Sequence, residues 1–168
     1  MPATPSSISD IEPVRRLAAG HSRPRAVFAG DDTLGADKGL AERARILIVE
    51  DDFIIAWEIE ASLAKAGFEV TGVASSGQEA LELVEAQRPV LVLMDIRLRG
   101  KHDGIDVALE LFKMHGIRCI FATAHADKTA RARARPANPL GWLPKPYTMM
   151  SLVAAVTRAV LELRDGTE

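Results

Sequence analysis

With a single cysteine, Cys119, the chain can form no internal disulfide, and a reducing compartment is the expected setting. Cys119 stands in an apolar run with Ile120 and Phe121 and reads as a small buried hydrophobe. An excess of one charge is also lacking: 21 Lys and Arg face 23 Asp and Glu, so no net field draws the chain to nucleic acid or to an anionic membrane surface. No stretch approaches the roughly 18 apolar residues of a membrane span. The N-terminus has neither the basic flank nor the apolar segment of a signal peptide. A cytoplasmic protein without membrane or nucleic-acid partners is expected. What is present is 168 residues with 48% hydrophobic content, enough for one domain with a filled core and too little for two ordinary ones.

Residues 1 to about 43 differ from the rest. Pro2, Pro5, Pro13 and Pro24 interrupt any helical period among Ser, Gly, Ala and mixed charges, which reads as a flexible N-terminal extension. From residue 44 the pattern is orderly. Short apolar runs at Ile46–Val49, Val70–Ala74, Val90–Met94, Cys119–Thr123 and Leu140–Leu143 are five candidate strands. Between them lie helices. Ile55, Ile59 and Leu63 repeat after Asp52, with Gly67 as a stop. Ser76 and Glu79 have capping-box spacing ahead of Ala80, Leu81, Leu83 and Val84, and Pro89 follows. Val107, Ala108, Leu111 and Phe112 form a stripe closed by Gly116, and Thr148 caps a helix carrying Leu152, Val153, Val156, Val160 and Leu163. Pro136 and Pro139 leave room only for a short or irregular helix after Asp127.

Strands apolar on both faces, alternating with helices, imply a doubly wound α/β fold with a five-stranded parallel sheet. Pro144 removes a ladder donor and puts the fifth strand at an edge, as in the flavodoxin-like order 2-1-3-4-5. Ligands of such folds bind beyond the carboxyl ends of the strands. There the chain places Glu50, Asp51 and Asp52 after the first strand, Asp95 after the third, Thr123 at the end of the fourth, and Lys145 and Pro146 after the fifth. Three carboxylates at one edge repel unless a cation joins them, and magnesium suits such an oxygen-only site. Beside that ion Asp95 stays ionised and can attack phosphorus, while the Lys145 ammonium and the Thr123 hydroxyl offset charge on the transferred group.

The segments Ile46-Leu-Ile-Val-Glu-Asp-Asp52, Leu91-Val-Leu-Met-Asp-Ile-Arg97, Phe121-Ala-Thr-Ala124 and Gly141-Trp-Leu-Pro-Lys-Pro146 resemble the sequence blocks of response regulator receiver domains. The resemblance covers residues 45 to about 163. It implies that Asp95 is the phosphoacceptor and that Asp51, Asp95 and the backbone carbonyl of Arg97 touch Mg2+, with Glu50 acting largely through water. It further implies that Thr123 is the switch hydroxyl, that Lys145 pairs with the phosphoryl group, and that the Lys145–Pro146 peptide is cis. Trp142 takes the rotamer-switch position, where receivers usually carry Tyr or Phe, and its bulk sets the usual swing in question. Arg97 and His125 fall at variable positions beside the site, where such residues tend to set the rates of phosphoryl gain and loss.

The implied function is a stand-alone receiver in a two-component phosphorelay. A sensor histidine kinase or histidine phosphotransfer protein donates, and output passes to a downstream protein by contact, since only Asp165 to Glu168 follow the last helix. It is not an enzyme beyond its own phosphorylation and dephosphorylation. Pairing between copies is left open, because receivers can associate through more than one face. Alternatives are a phosphate sink, a phosphorylation-independent binding module, or a phosphohydrolase of the haloacid dehalogenase type. The last needs a second Asp two residues after the nucleophile, where this chain has Arg97.

Each residue also has a plainer use. Asp at a helix N-cap contributes about 1 kcal/mol, a sufficient reason for Asp52. Lys-Pro bonds are cis in only about 5% of cases. Trp57 lies off its helical stripe, as an ordinary partly exposed aromatic would, and Arg131, Arg133 and Arg135 read as a solvated charge run. The conjunction at four strand ends outweighs these separate uses.

Overall fold

The computed structural model describes residues 44–100, 102–124 and 127–166. The N-terminal extension expected over 1 to about 43 and His125 lie outside them. The order is β1 (Arg45–Val49), α1 (Phe53–Lys65), β2 (Glu69–Ala74), α2 (Gly77–Gln87), β3 (Leu91–Asp95), α3 (Gly104–His115), β4 (Arg118–Thr123), α4 (Lys128–Ala134), a 3-10 turn (Arg135–Ala137), β5 (Gly141–Pro144) and α5 (Met149–Asp165). All strand pairs are parallel, and the sheet order is β2-β1-β3-β4-β5. The flavodoxin-like arrangement and the edge position of β5 are as expected. Pro144, which has no N–H to give, sits on the strand with one neighbour.

Side chains alternate across the sheet, so each strand feeds two cores. Ile46 and Ile48, Leu91 and Leu93, and Ile120 and Ala122 pack with Ile59 and Leu63 of α1 and Leu152 and Val156 of α5. Leu47 and Val49, Val92 and Met94, and Cys119 and Phe121 face the other way, against Val84 of α2, Ile105 and Leu111 of α3, and Ala134 of α4. Cys119 is buried, and its thiol pKa is pushed up to about 12 by that burial, in keeping with an inert core residue.

The helix ends follow local chemistry. Asp52 caps α1, accepting from Ile54 N and Ile55 N. Gly116 ends α3 in the left-handed region that glycine tolerates. Thr148 and Ser151 form a reciprocal capping box on α5. The box expected at Ser76 is altered. Ser76 accepts from Glu79 N, but Glu79 reaches Ser75, whose N–H and Oγ donate to its Oε2 at 2.8 and 2.9 Å. The proline-limited segment becomes the seven residues of α4 followed by the 3-10 turn.

Candidate functional site

Sheet register brings the acidic tips together. Val49 pairs with Met94, which sets Glu50 level with Asp95, and Asp95 pairs with Ala122. Thr123 pairs with Pro144, and its carbonyl accepts from Lys145 N at 2.9 Å, carrying the lysine across the mouth of the sheet. The Lys145–Pro146 peptide is cis.

Lys145 Nζ lies 2.7 Å from Glu50 Oε2 and 2.6 Å from Asp95 Oδ2. The other Asp95 oxygen, Oδ1, accepts from Arg97 N at 3.1 Å, so the carboxylate is held at both ends. Glu50, Asp95 and Thr123 are buried polar residues in an otherwise apolar interior. Glu50, Asp51 and Asp95 each offer an oxygen within 4.8 Å of the others, an arrangement that can hold a metal ion. Three carboxylates meet two cationic groups here, Lys145 on Glu50 and Asp95 and Arg99 on Asp51, so the cluster keeps a net negative charge that a cation can offset.

Burial is the main influence on both titrating partners. It pushes the Glu50 pKa above its ordinary value, with repulsion from Asp95 adding to it and the hydrogen bond from Lys145 opposing it. Burial acts against the Lys145 charge, but hydrogen bonds to Asp95 and Glu50 outweigh it and raise the lysine pKa. At neutral pH the ammonium is fully charged.

Among the acidic trio after β1, Asp52 does the capping and Glu50 and Asp51 turn into the cluster. Trp142 stacks on Phe121, with ring centroids 4.8 Å apart, and the Arg131 guanidinium lies over the indole, 4.9 Å from its ring centroid. It therefore packs against the face shared with α4, and Phe121, two residues before Thr123, is its neighbour on β4. The run of arginines is not simply a solvated face: Arg131 covers Trp142, and Arg133 pairs with Asp103 and Asp106. Trp57 is largely exposed.

Two site residues were absent from the sequence reading. Arg99, itself exposed, places Nε 3.0 Å from Asp51 Oδ2 and pairs with that carboxylate. Gly104 opens α3 directly against the backbone of Asp95, where a Cβ would overlap the carbonyl oxygen. The only signal for it was an Asp-Gly pair, which reads equally well as a turn.

The family model for the response regulator receiver domain matches residues 46–157. The chain belongs to that family. The receiver is 35% identical over 131 residues to the transcriptional regulatory protein PdtaR of Mycobacterium tuberculosis, covering 78% of this chain and 63% of PdtaR. It is 32% identical to the phyllosphere-induced regulator PhyR of Methylorubrum extorquens, covering 77% of this chain and 48% of PhyR. The chain thus spans less than two thirds of these curated relatives. Among solved structures, a CheY-like receiver domain from Methanospirillum hungatei superposes with a TM-score of 0.68 at 26% identity, over 73% of this chain and 98% of that one. Among the described residues no helix is long and apolar enough to cross a membrane.

Proposed function

We propose that this receiver takes a phosphoryl group onto Asp95 from a sensor histidine kinase or a histidine phosphotransfer protein, with Mg2+ bound by Asp51, Asp95 and the Arg97 carbonyl and Glu50 acting largely through water. The observation that carries the reading is the single cluster in which Lys145 bridges Glu50 and Asp95 while three carboxylate oxygens fall within 4.8 Å. Ligands of one magnesium ion stand at most ~4.2 Å apart, so a small side-chain adjustment closes the set. The ion supplies positive charge to the oxygens of the transferred group. An Asp95 oxygen attacks phosphorus, the bond to the donor imidazole nitrogen breaks, and the imidazole leaves. Lys145 then exchanges part of its contact with Asp95 for a phosphoryl oxygen, and Thr123 donates its hydroxyl. Output passes by contact to a downstream protein, with Thr123 and Trp142 as the responding side chains. The reading assigns residues 44–168 to the receiver and 1–43 to a separate extension.

The start of α1, which follows the acidic cluster in the chain, leaves Phe53, Ile54 and Trp57 largely exposed. An apolar rim of this kind suits a protein donor. The test is incubation with Mg2+ and acetyl phosphate followed by intact-mass measurement. One added phosphoryl group per chain is expected, and an unmodified chain refutes the reading.

Arg99 competes with the metal for Asp51 and adds a repelling charge. Arg99→Ala is therefore expected to tighten Mg2+ binding about threefold to fivefold, the scale of an exposed ion pair, with the gain shrinking as salt rises. Calorimetric titration measures it. The raised pKa of Glu50 sets the acid limit of binding. Because the metal needs the carboxylate and a proton competes for it, affinity falls on acidification from a higher pH than an ordinary glutamate would impose. Glu50→Gln removes that part of the pH profile.

A further inference from the structure

Arg133 on α4 grips the first turn of α3 with both guanidinium nitrogens. Nη1 lies 2.8 Å from Asp103 Oδ2, and Nη2 lies 3.1 Å from Asp106 Oδ1. Asp103 is also the cap of α3, since its Oδ1 accepts from Ile105 N and Asp106 N at 3.0 Å each. Burial works against its charge, but the Arg133 hydrogen bond and the capping N–H groups prevail and keep its pKa below the ordinary value. The next residue, Gly104, rests on the Asp95 carbonyl and donates its N–H to Ile96 O at 2.9 Å. Ile96, which leaves β3, and Gly104, which opens α3, therefore meet beside Asp95. Between them in the chain lies Arg97, whose N–H holds Asp95 Oδ1.

We propose that Arg133 is a positioning residue for the phosphoacceptor: by tying α4 to the cap of α3 it fixes the loop that carries Arg97 and orients Asp95, and it makes α4 sensitive to what binds there. The chain of contacts runs Arg133, Asp103, Gly104, Asp95, and it passes through neither Thr123 nor Trp142. Coupling of this kind is reciprocal, so a ligand at Asp95 biases the Arg133 contact to the extent that the contact biases the ligand. The inference rests on the reading of Asp95 as phosphoacceptor.

Three variants separate positioning from mere stability. Arg133→Ala removes the tie. Asp103→Asn breaks the ion pair but keeps the cap, because Asn and Asp cap equally well. Arg133→Lys keeps the charge without the two-pronged geometry. Arg133→Ala and Asp103→Asn are each expected to weaken Mg2+ binding and to slow acetyl phosphate labelling at saturating Mg2+ by about threefold to fivefold. The double variant should be no worse than either single one, and Arg133→Lys should recover part of the loss. Unchanged Mg2+ affinity and labelling rate in both single variants, whatever their urea midpoints, overturns the proposal; so do losses that simply multiply in the double variant. If the wild-type chain binds Mg2+ but is never labelled, the phosphoacceptor reading fails alone, and the Mg2+ titrations still decide the role of Arg133. A wild-type chain that does neither removes both.

Discussion

Asp95→Asn is expected to abolish labelling by acetyl phosphate, a loss on the order of a thousandfold or more, while leaving the receiver folded. The amide matches the carboxylate in shape and keeps an oxygen to accept from Arg97 N, so the end of β3 holds its backbone, while its NH2 now faces Lys145 Nζ and turns that lysine to Glu50 alone. It has no anionic oxygen to attack phosphorus. Stability should change little, because two effects oppose: Lys145 loses one of its two ionic partners, and Glu50 loses a nearby negative charge. After burial, that charge is one of the influences raising the Glu50 pKa, so Glu50 should ionise more readily in the variant. Intact-mass measurement after acetyl phosphate treatment gives the first result and urea unfolding the second. Labelling that persists at the wild-type rate places the phosphoacceptor elsewhere.

The sheet order and the strand-end cluster were legible because each rests on one hard constraint. Pro144 has no N–H, which put β5 at an edge, and polar residues closing apolar runs could meet only where parallel strands end together. Helix caps at Asp52 and Thr148 were legible because a cap reads its own next three residues. Strand limits moved by a residue: β3 runs Leu91–Asp95 where the apolar run spans Val90–Met94, since its pairing of Asp95 to Ala122 is set by the neighbouring strand. Glu79 chose Ser75 over Ser76 because its flexible side chain reaches either N–H, and spacing cannot separate them. Long-range partners were illegible. Arg99 meets Asp51 from 48 residues away and Arg133 meets Asp103 from 30, distances at which a charge run carries no record of its partner. Trp142 was legible as a position but not as a stack, which needed the register of β4 against β5 and the arrival of Arg131.

Gly104→Ala is expected to cost about 2 kcal/mol of stability and to weaken Mg2+ binding, against the ordinary preference of helices for Ala over Gly of about 1 kcal/mol. The sign is decided by what the methyl group would meet. Besides overlapping the Asp95 carbonyl oxygen, it would lie 2.9 Å from the carbonyl carbon and 3.0 Å from Ile96 Cα. These are backbone atoms at the end of a strand paired on both sides, so no side chain can swing away to make room. Either α3 withdraws, taking Asp103 and its tie to Arg133 with it, or Asp95 shifts against Lys145 and Arg97. Both movements would pull apart the carboxylates proposed to hold Mg2+. Gly141→Ala is the control, since a Cβ there meets nothing within 4 Å. In urea the Gly104 variant should unfold about 1 M earlier than wild type and the Gly141 variant close to it. If Gly104→Ala matches wild type in both unfolding midpoint and Mg2+ affinity, then α3 does not rest on the Asp95 backbone, and the proposed route from Arg133 to Asp95 loses its middle link.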